Sequence, residues 1–187
     1  MYFGNSRYEE ALNNAQYSLE YADKAGDFIL QVYARILLAS SYARMERYPE
    51  SIAVLKQNVK DALSHDSPLM AMSSLSPLLS SYQLWNKKDS VRPYLELGNK
   101  LLDKIPAGHP TALEYVAVVS SQYSWLGEYA KSNSILLNNS NIVAQIGDLK
   151  YNILLAKNYG GLKDYEKAYN YLMNAYEYND SITKNKI

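Results

Sequence analysis

Cysteine is absent from this chain, and histidine and phenylalanine occur only twice each. Without cysteine the protein cannot form disulfides, zinc fingers or a thiol nucleophile. The two histidines, His65 and His109, fall in separate turn segments, and neither has partners at the spacing that a metal site or a general base requires. No glycine-rich phosphate loop follows a strand, because no strand is predicted. We therefore expect a non-catalytic protein that uses neither a cofactor nor a metal.

Long apolar runs and an excess of either charge are also missing. No segment approaches the roughly 18–20 apolar residues that cross a bilayer, and the N-terminus has no signal-peptide pattern. Lys and Arg together number 19, as do Asp and Glu, which argues against a nucleic-acid footprint or a polybasic membrane patch. We expect no direct nucleic-acid contact and no membrane insertion from this region. The lack of cysteine fits the bacterial cytoplasm and periplasm equally well, so localisation stays open.

Tyrosine is abundant, with 19 residues, and it marks an internal repeat. Two tyrosines separated by six positions recur in four places, and a fifth copy has Tyr82 followed by Lys88. The four intact pairs are Tyr2/Tyr8, Tyr42/Tyr48, Tyr123/Tyr129 and Tyr159/Tyr165. Three residues after each pair comes a small residue: Ala11, Ser51, Ser132 and Ala168. We expect Ala168 to be buried where two helices cross. The spacing predicts repeats of about 40 residues.

Each repeat has the pattern of two helices joined by a turn between its two tyrosine positions. Apolar residues at helical spacing precede the pair, as in "VYARILLASSYARM", and follow it, as in "YPESIAVLKQNV". We predict about nine helices in a single domain, divided into repeats 1–26, 27–65, 66–107, 108–140 and 141–187. Pro77 falls inside a predicted helix, where it removes a hydrogen bond, so we expect a bend or break there.

The pattern resembles the tetratricopeptide repeat (TPR) family, and the last repeat matches best. Its residues at the motif's large and small packing positions are Leu155, Ala156, Tyr159, Tyr165, Ala168, Leu172 and Ala175. The resemblance implies an all-α fold, an α-α superhelix or TPR-like solenoid, whose concave surface is lined by the first helix of each repeat. Repeat length and the ending "YLMNAYEYNDSITK" are similar to TPR sensor regions of Bacteroidetes-type transcriptional regulators and sensor kinases.

Serine pairs and two tryptophans recur with the repeat. Ser40, Ser80 and Ser120 each belong to a Ser-Ser pair, and we favour one serine of each pair as a small packing residue whose neighbour faces the concave side. A ladder of ligand-binding serines is the alternative. Trp85 and Trp125 are also 40 residues apart, and for them we favour the core over the concave face.

In the register of the TPR family, nine residues are predicted to line the concave, ligand-binding face: Tyr33, Ser40, Arg44, Ser80, Gln83, Ser121, Trp125, Lys150 and Lys157. Arg44, Lys150 and Lys157 could meet a carboxylate or the C-terminus of a peptide. The alternative is that these residues belong to ordinary solvated helix faces.

The resemblance implies a module that binds a protein or peptide, as the sensory or interaction region of a bacterial signalling or transcriptional regulator. Alternatives are a TPR domain of the intracellular peptide-pheromone receptor type and a general assembly scaffold. Because the first tyrosine pair lacks a preceding helix and the last helix lacks a polar cap, we expect a fragment of a longer protein whose exposed solenoid ends allow a homodimer. The identity of the ligand and any output domain stay open.

Overall fold

The computed structural model describes residues 3–106, 108–139 and 147–184, and within these ranges the side chains from Arg7 to Glu177. These residues form nine α-helices and no strand, which confirms the predicted all-α fold for the part described. The helices are α1 (Phe3–Ala25), α2 (Phe28–Arg44), α3 (Tyr48–Ser64), α4 (Pro68–Leu84), α5 (Arg92–Leu102), α6 (Pro110–Leu126), α7 (Tyr129–Asn138), α8 (Asp148–Gly161) and α9 (Tyr165–Lys184).

Three of the four tyrosine pairs bracket a turn as the repeat predicts; the first does not, because α1 begins at Phe3 and runs through Tyr8. Tyr48, Tyr129 and Tyr165 begin α3, α7 and α9. Tyr2 lies outside the described residues. Four positions after the first tyrosine of a pair, each of these turns contains one residue in the left-handed region: Glu46, Asn86, Gly127 and Lys163. A left-handed residue satisfies the last carbonyls of a helix and reverses the chain, so one backbone device recurs in every hairpin.

The chain divides into two compact units, Met1–Pro106 and Ala107–Ile187. In the N-terminal unit successive helices from α1 to α5 pack against one another, and α4 also contacts α2. A 3-10 turn at Lys88–Ser90 precedes α5. Leu55 of α3 and Leu75 of α4 are fully buried at the centre of this unit. Each helix therefore contributes its apolar stripe to a core shared with its neighbours.

In the C-terminal unit α6 packs on α7, α8 packs on both, and α9 packs on α8. Leu136 of α7 and Leu155 of α8 are buried against each other, with Tyr159 and Tyr171 around them. The rings of these two tyrosines stack with centroids 5.5 Å apart. The first tyrosine of the repeat thus joins the helices of its own hairpin.

Pro77 does not break α4, although a bend or a break was expected there. The helix runs without interruption from Pro68 to Leu84. Leu75, Leu78 and Leu79, on either side of the proline, are completely buried. Burial of large apolar side chains stabilises by about 1.5–3 kcal/mol each, which together exceeds the cost of about 3 kcal/mol for a proline inside a helix.

The small residues after the tyrosine pairs are not all buried. Ser51 and Ser132 have no exposed surface, but Ala168 is half-buried and Ala11 is exposed. The expectation of burial is therefore wrong for Ala168. Ser51 and Ser132 lie in helices that have a first helix packed on each side, whereas α9 packs only on α8 among the described residues.

Candidate functional site

The first helix of the second repeat, α2, exposes an apolar face. Val32, Leu38 and Ala39 are buried on one side of this helix. On the opposite side, four large side chains keep 49–56% of their surface exposed: Ile29, Leu30, Tyr33 and Leu37. Ser40 and Arg44 lie on the same side, because residues three, four and seven apart share a helix face. The predicted site residues of α2 therefore belong to an apolar surface that ends in a cation.

The neighbouring first helix, α4, contributes Ser80 and Gln83. Both are partly exposed, and the Ser80 hydroxyl donates to the Ser76 carbonyl at 3.0 Å. Ser80 lies on the exposed stripe of α4 with Leu69, and Gln83 lies at its edge. Since α2 contacts α4, the two exposed stripes adjoin in the N-terminal unit.

In the C-terminal unit, α6 contributes Ser121 and Trp125, both half-buried, and α8 contributes Lys150 and Lys157, both exposed. The two lysines flank Ile153 on one face of α8, where Ile153 is 48% exposed. Neither lysine forms an ion pair within the described residues. This face presents two cations to solvent around an apolar side chain.

The nine predicted site residues therefore fall into two groups, one in each compact unit. All nine lie on first helices and none is buried. Among the cations, Arg44 also has no ion-pair partner in the described part of the chain. Their role in ligand binding stays a prediction.

The serine pairs serve helix packing with one member each. Ser41, Ser81 and Ser120 are buried, whereas Ser40, Ser80 and Ser121 are partly exposed. The hydroxyls of Ser51 and Ser81 are hydrogen-bonded at 3.0 Å across α3 and α4. The Ser132 hydroxyl donates to the carbonyl of Ser120 at 2.7 Å across α6 and α7. Small hydroxyl side chains allow two helices to approach and satisfy their polar groups at the crossing.

Two buried asparagines form contacts that the sequence analysis did not select. The Asn58 amide donates to the carbonyl of Val32 at 3.0 Å and to the hydroxyl of Ser74 at 3.2 Å. The Asn158 amide donates to the Ser132 hydroxyl at 2.7 Å and to Asn133 Oδ1 at 2.9 Å. The signal for Asn58 is present in the sequence, because an asparagine there replaces the small apolar residue of the TPR motif.

Trp85 and the two histidines do not form a binding centre. Trp85 is 38% exposed at the end of α4, with the Lys87 ammonium 4.6 Å from its ring centroid, so its expected place in the core is wrong. The His65 ring stacks on Phe28 at 4.1 Å, and His109 Nδ1 accepts from the Thr111 N–H at the start of α6. Within the described residues, no three metal-binding side chains cluster.

Comparison with solved structures identifies the architecture. The nearly identical TPR-like repeats assigned to a kinesin light chain of Podosopora anserina superpose with a TM-score of 0.72 at 16% identity, covering 95% of this chain and 90% of that one. BtubC (BKLC) from P. vanneervenii superposes with a TM-score of 0.68 at 12% identity, covering 96% and 91%. The chain has a TPR-like repeat fold. No protein-family model and no curated protein matches the sequence.

The TPR-like fold accounts for the location of the exposed faces. In this fold each helix hairpin packs on its neighbours along the chain, and the array offers an extended surface. Among the described residues, no helix has the length and apolar character needed to cross a membrane.

Proposed function

We propose that this protein is a non-catalytic TPR-like module that binds a protein or peptide segment along the exposed faces of its first helices. The observation that carries the proposal is the α2 face, where Ile29, Leu30, Tyr33 and Leu37 are half-exposed in one row. Isolated exposed apolar residues are common, but a contiguous row of four on one helix is typical of an interaction surface.

The chemistry of this face defines the segment that it fits. Tyr33 and Leu37 offer an aromatic and an aliphatic contact, and Arg44 lies at the end of α2 without an ion-pair partner in the described residues. A guanidinium can bind a carboxylate through two parallel hydrogen bonds. The partner is therefore a segment with apolar side chains followed by a carboxylate, from an acidic residue or a chain terminus. Ser40, Ser80 and Gln83 supply hydrogen-bonding groups beside this row.

The cations and the tryptophan of the C-terminal unit belong to the same proposed function. Ser121, Trp125, Lys150 and Lys157 lie on α6 and α8, which pack together. A tryptophan and two lysines on neighbouring first helices suit a segment that combines apolar and acidic side chains. The group of site residues in the N-terminal unit and the group in the C-terminal unit can bind separate ligands.

Selection of displayed random peptides on the intact protein tests this function. Peptides recovered should bind a Tyr33→Ala, Arg44→Glu variant at least about tenfold more weakly, which corresponds to about 1.4 kcal/mol. Tyr17→Ala is the matched control, since Tyr17 is an exposed tyrosine on α1, outside this face. Equal binding by wild-type and Tyr33/Arg44-substituted protein, with unchanged circular dichroism, would contradict the proposal.

At the level of the whole protein, we propose the sensory or interaction region of a bacterial signalling or transcriptional regulator. Repeat length near 40 residues and the tyrosine-rich last helix support this role, through the resemblance described above. An intracellular receptor for a peptide pheromone and an assembly scaffold are the alternatives, and each would use the same exposed faces. The gene that encodes the chain separates them. A membrane helix downstream supports the sensor, an N-terminal DNA-binding domain supports the pheromone receptor, and a gene with neither supports the scaffold.

A further inference from the structure

The last hairpin of the C-terminal unit, α8 and α9, carries an open apolar groove. The groove has a volume of about 540 Å³ and is lined by Leu149, Ile153, Leu172, Met173, Ala175 and Tyr176. Two of the lining side chains are highly exposed, Leu172 at 56% and Tyr176 at 68%. Large apolar side chains with this exposure lose stabilising contacts unless a partner covers them.

The repeat register shows what covers the same position elsewhere in the chain. Tyr48, Tyr129 and Tyr165 begin the second helices α3, α7 and α9, so Leu55, Leu136 and Leu172 are equivalent residues, each seven positions later. Leu55 has no exposed surface and Leu136 only 1%. The next first helix packs on each of them: α4 on α3, and α8 on α7. Leu172 has the same place in the repeat but no helix over it in the described residues.

Neighbouring positions of the second helices show the same difference in burial. Ile52 and Val59 of α3 are buried at 6% and 4%, whereas their equivalents on α9, Tyr169 and Tyr176, are more than 60% exposed. The replacement of β-branched residues by tyrosine keeps the apolar body and adds a hydroxyl that reaches the groove rim. The α8–α9 groove is therefore shaped like the sites that hold α4 and α8, with a more polar rim.

Charge defines one side of the groove. Lys150 and Lys157 lie on the face of α8 that borders Ile153, are exposed, and form no ion pair within the described residues. A helix lying over Ile153 and Leu172 would bring one flank close to both ammonium groups. Carboxylates on that flank would be favoured and cations disfavoured.

We propose that the α8–α9 groove is a second binding site, which takes an amphipathic helix from a partner protein in the place that α4 occupies on α2 and α3. The apolar face of the partner helix packs on Leu172, Tyr176 and Ile153. Acidic residues along one flank pair with Lys150 and Lys157. This site differs from the α2 face of the proposed function, and it shares Lys150 and Lys157 with the C-terminal group of residues assigned to that function.

Two fluorescently labelled helical peptides, each as long as α4, test the site by anisotropy. Both carry leucine and alanine on one face; one has glutamates along a flank, and the other has lysines at the same positions. The glutamate peptide should bind the wild-type protein at least about tenfold more tightly than the lysine peptide. Lys150→Glu with Lys157→Glu should reverse that preference, and Leu172→Asp should abolish binding of the glutamate peptide.

The controls separate this site from the rest of the molecule. Leu63→Asp changes an exposed leucine of α3, in the other compact unit, and should leave binding unchanged. The proposal is overturned if Leu172→Asp binds the glutamate peptide as the wild type does while circular dichroism is unchanged, or if both peptides bind equally to wild type and charge-reversed protein. It is also overturned if sedimentation shows that the groove is closed by a second copy, with self-association that Leu172→Asp removes.

Discussion

The ring of Tyr129, at the start of α7, fills the space that a Cβ atom on Gly161, at the end of α8, would need. Gly161 has no positive φ, so its backbone conformation does not require glycine. The adjacent Gly160 has no atom of another segment within 4 Å of the same point. Close approach of two helices, rather than backbone geometry, therefore explains one glycine of this Gly-Gly pair.

We predict that Gly161→Ala lowers the free energy of unfolding by about 1–2 kcal/mol, because the Tyr129 ring must move out of its packed position. Gly160→Ala should be neutral or stabilising by up to about 1 kcal/mol, since alanine favours a helix over glycine. Urea denaturation of both variants measures the difference.

A double-mutant cycle shows whether the contact with Tyr129 is the cause. In a Tyr129→Ala background the cost of Gly161→Ala should disappear, which gives a coupling energy of about 1–2 kcal/mol. An equal cost in both backgrounds would mean that the ring of Tyr129 is not what Gly161 accommodates.

The small positions of the repeat differ in burial, and this predicts different tolerance to a larger side chain. Ser51→Leu should cost more than about 2 kcal/mol, because Ser51 is completely buried and its hydroxyl contacts that of Ser81. Ala168→Leu should cost less than about 1 kcal/mol, since Ala168 is half-buried. The denaturant midpoints of the two variants measure these costs, provided that the free energy of unfolding depends equally on denaturant concentration in both. Equal costs would show that the two positions are packed alike.

We predict that the protein loses stability at alkaline pH because Tyr82 is buried. Burial, then a hydrogen bond to Tyr94, raises the pKa of Tyr82 to about 12, and the two rings stack with centroids 5.7 Å apart. A tyrosine in the unfolded chain loses its proton near pH 10. Between these two pH values the unfolded state releases a proton that the folded state keeps, so the stabilising contribution is complete below pH 10 and falls as pH rises toward 12.

Unfolding free energies measured by urea at a series of pH values from about 9 to about 11.5 test this. Tyr82→Phe should make the decline shallower, because phenylalanine has no proton to release. Tyr17→Phe alters an exposed tyrosine and should leave the slope unchanged. An unaltered slope in Tyr82→Phe would assign the decline to other groups.

Helices, hairpin turns and repeat register could be predicted from the sequence because each has a local or periodic cause. Tyr48, Tyr129 and Tyr165 stand at helix starts, and Gly127 lies in the turn where a left-handed residue is required. These features depend on residues near one another in the chain, and the same local pattern occurs in several repeats.

The features that were missed depend on which helices lie beside a residue. Pro77 was expected to bend or break α4, but α4 is unbroken, and the burial of Leu75, Leu78 and Leu79 that stabilises it is a tertiary effect. Trp85 was expected in the core, but it is the C-cap of α4 and keeps 38% of its surface exposed. Exposed solenoid ends were expected from the sequence, but only the structure shows that Leu172 is among the side chains left open.

The last prediction concerns the turn between α8 and α9. Lys163 adopts φ of 64° four positions after Tyr159, and Gly127, with φ of 83°, has the same place after Tyr123. A side chain in this left-handed region costs about 1–2 kcal/mol relative to glycine, and the greater freedom of glycine in the unfolded chain cancels part of the gain. We expect Lys163→Gly to raise the free energy of unfolding by about 0.5–1 kcal/mol, and Gly127→Lys to lower it by a similar amount.

Lys157→Gly is the matched control: Lys157 is exposed within α8, where the same replacement should cost about 1 kcal/mol. Urea denaturation of the three variants shows whether each substitution raises or lowers the free energy of unfolding. Destabilisation by Lys163→Gly would show that the Lys163 side chain contributes more to the folded state than its backbone conformation costs.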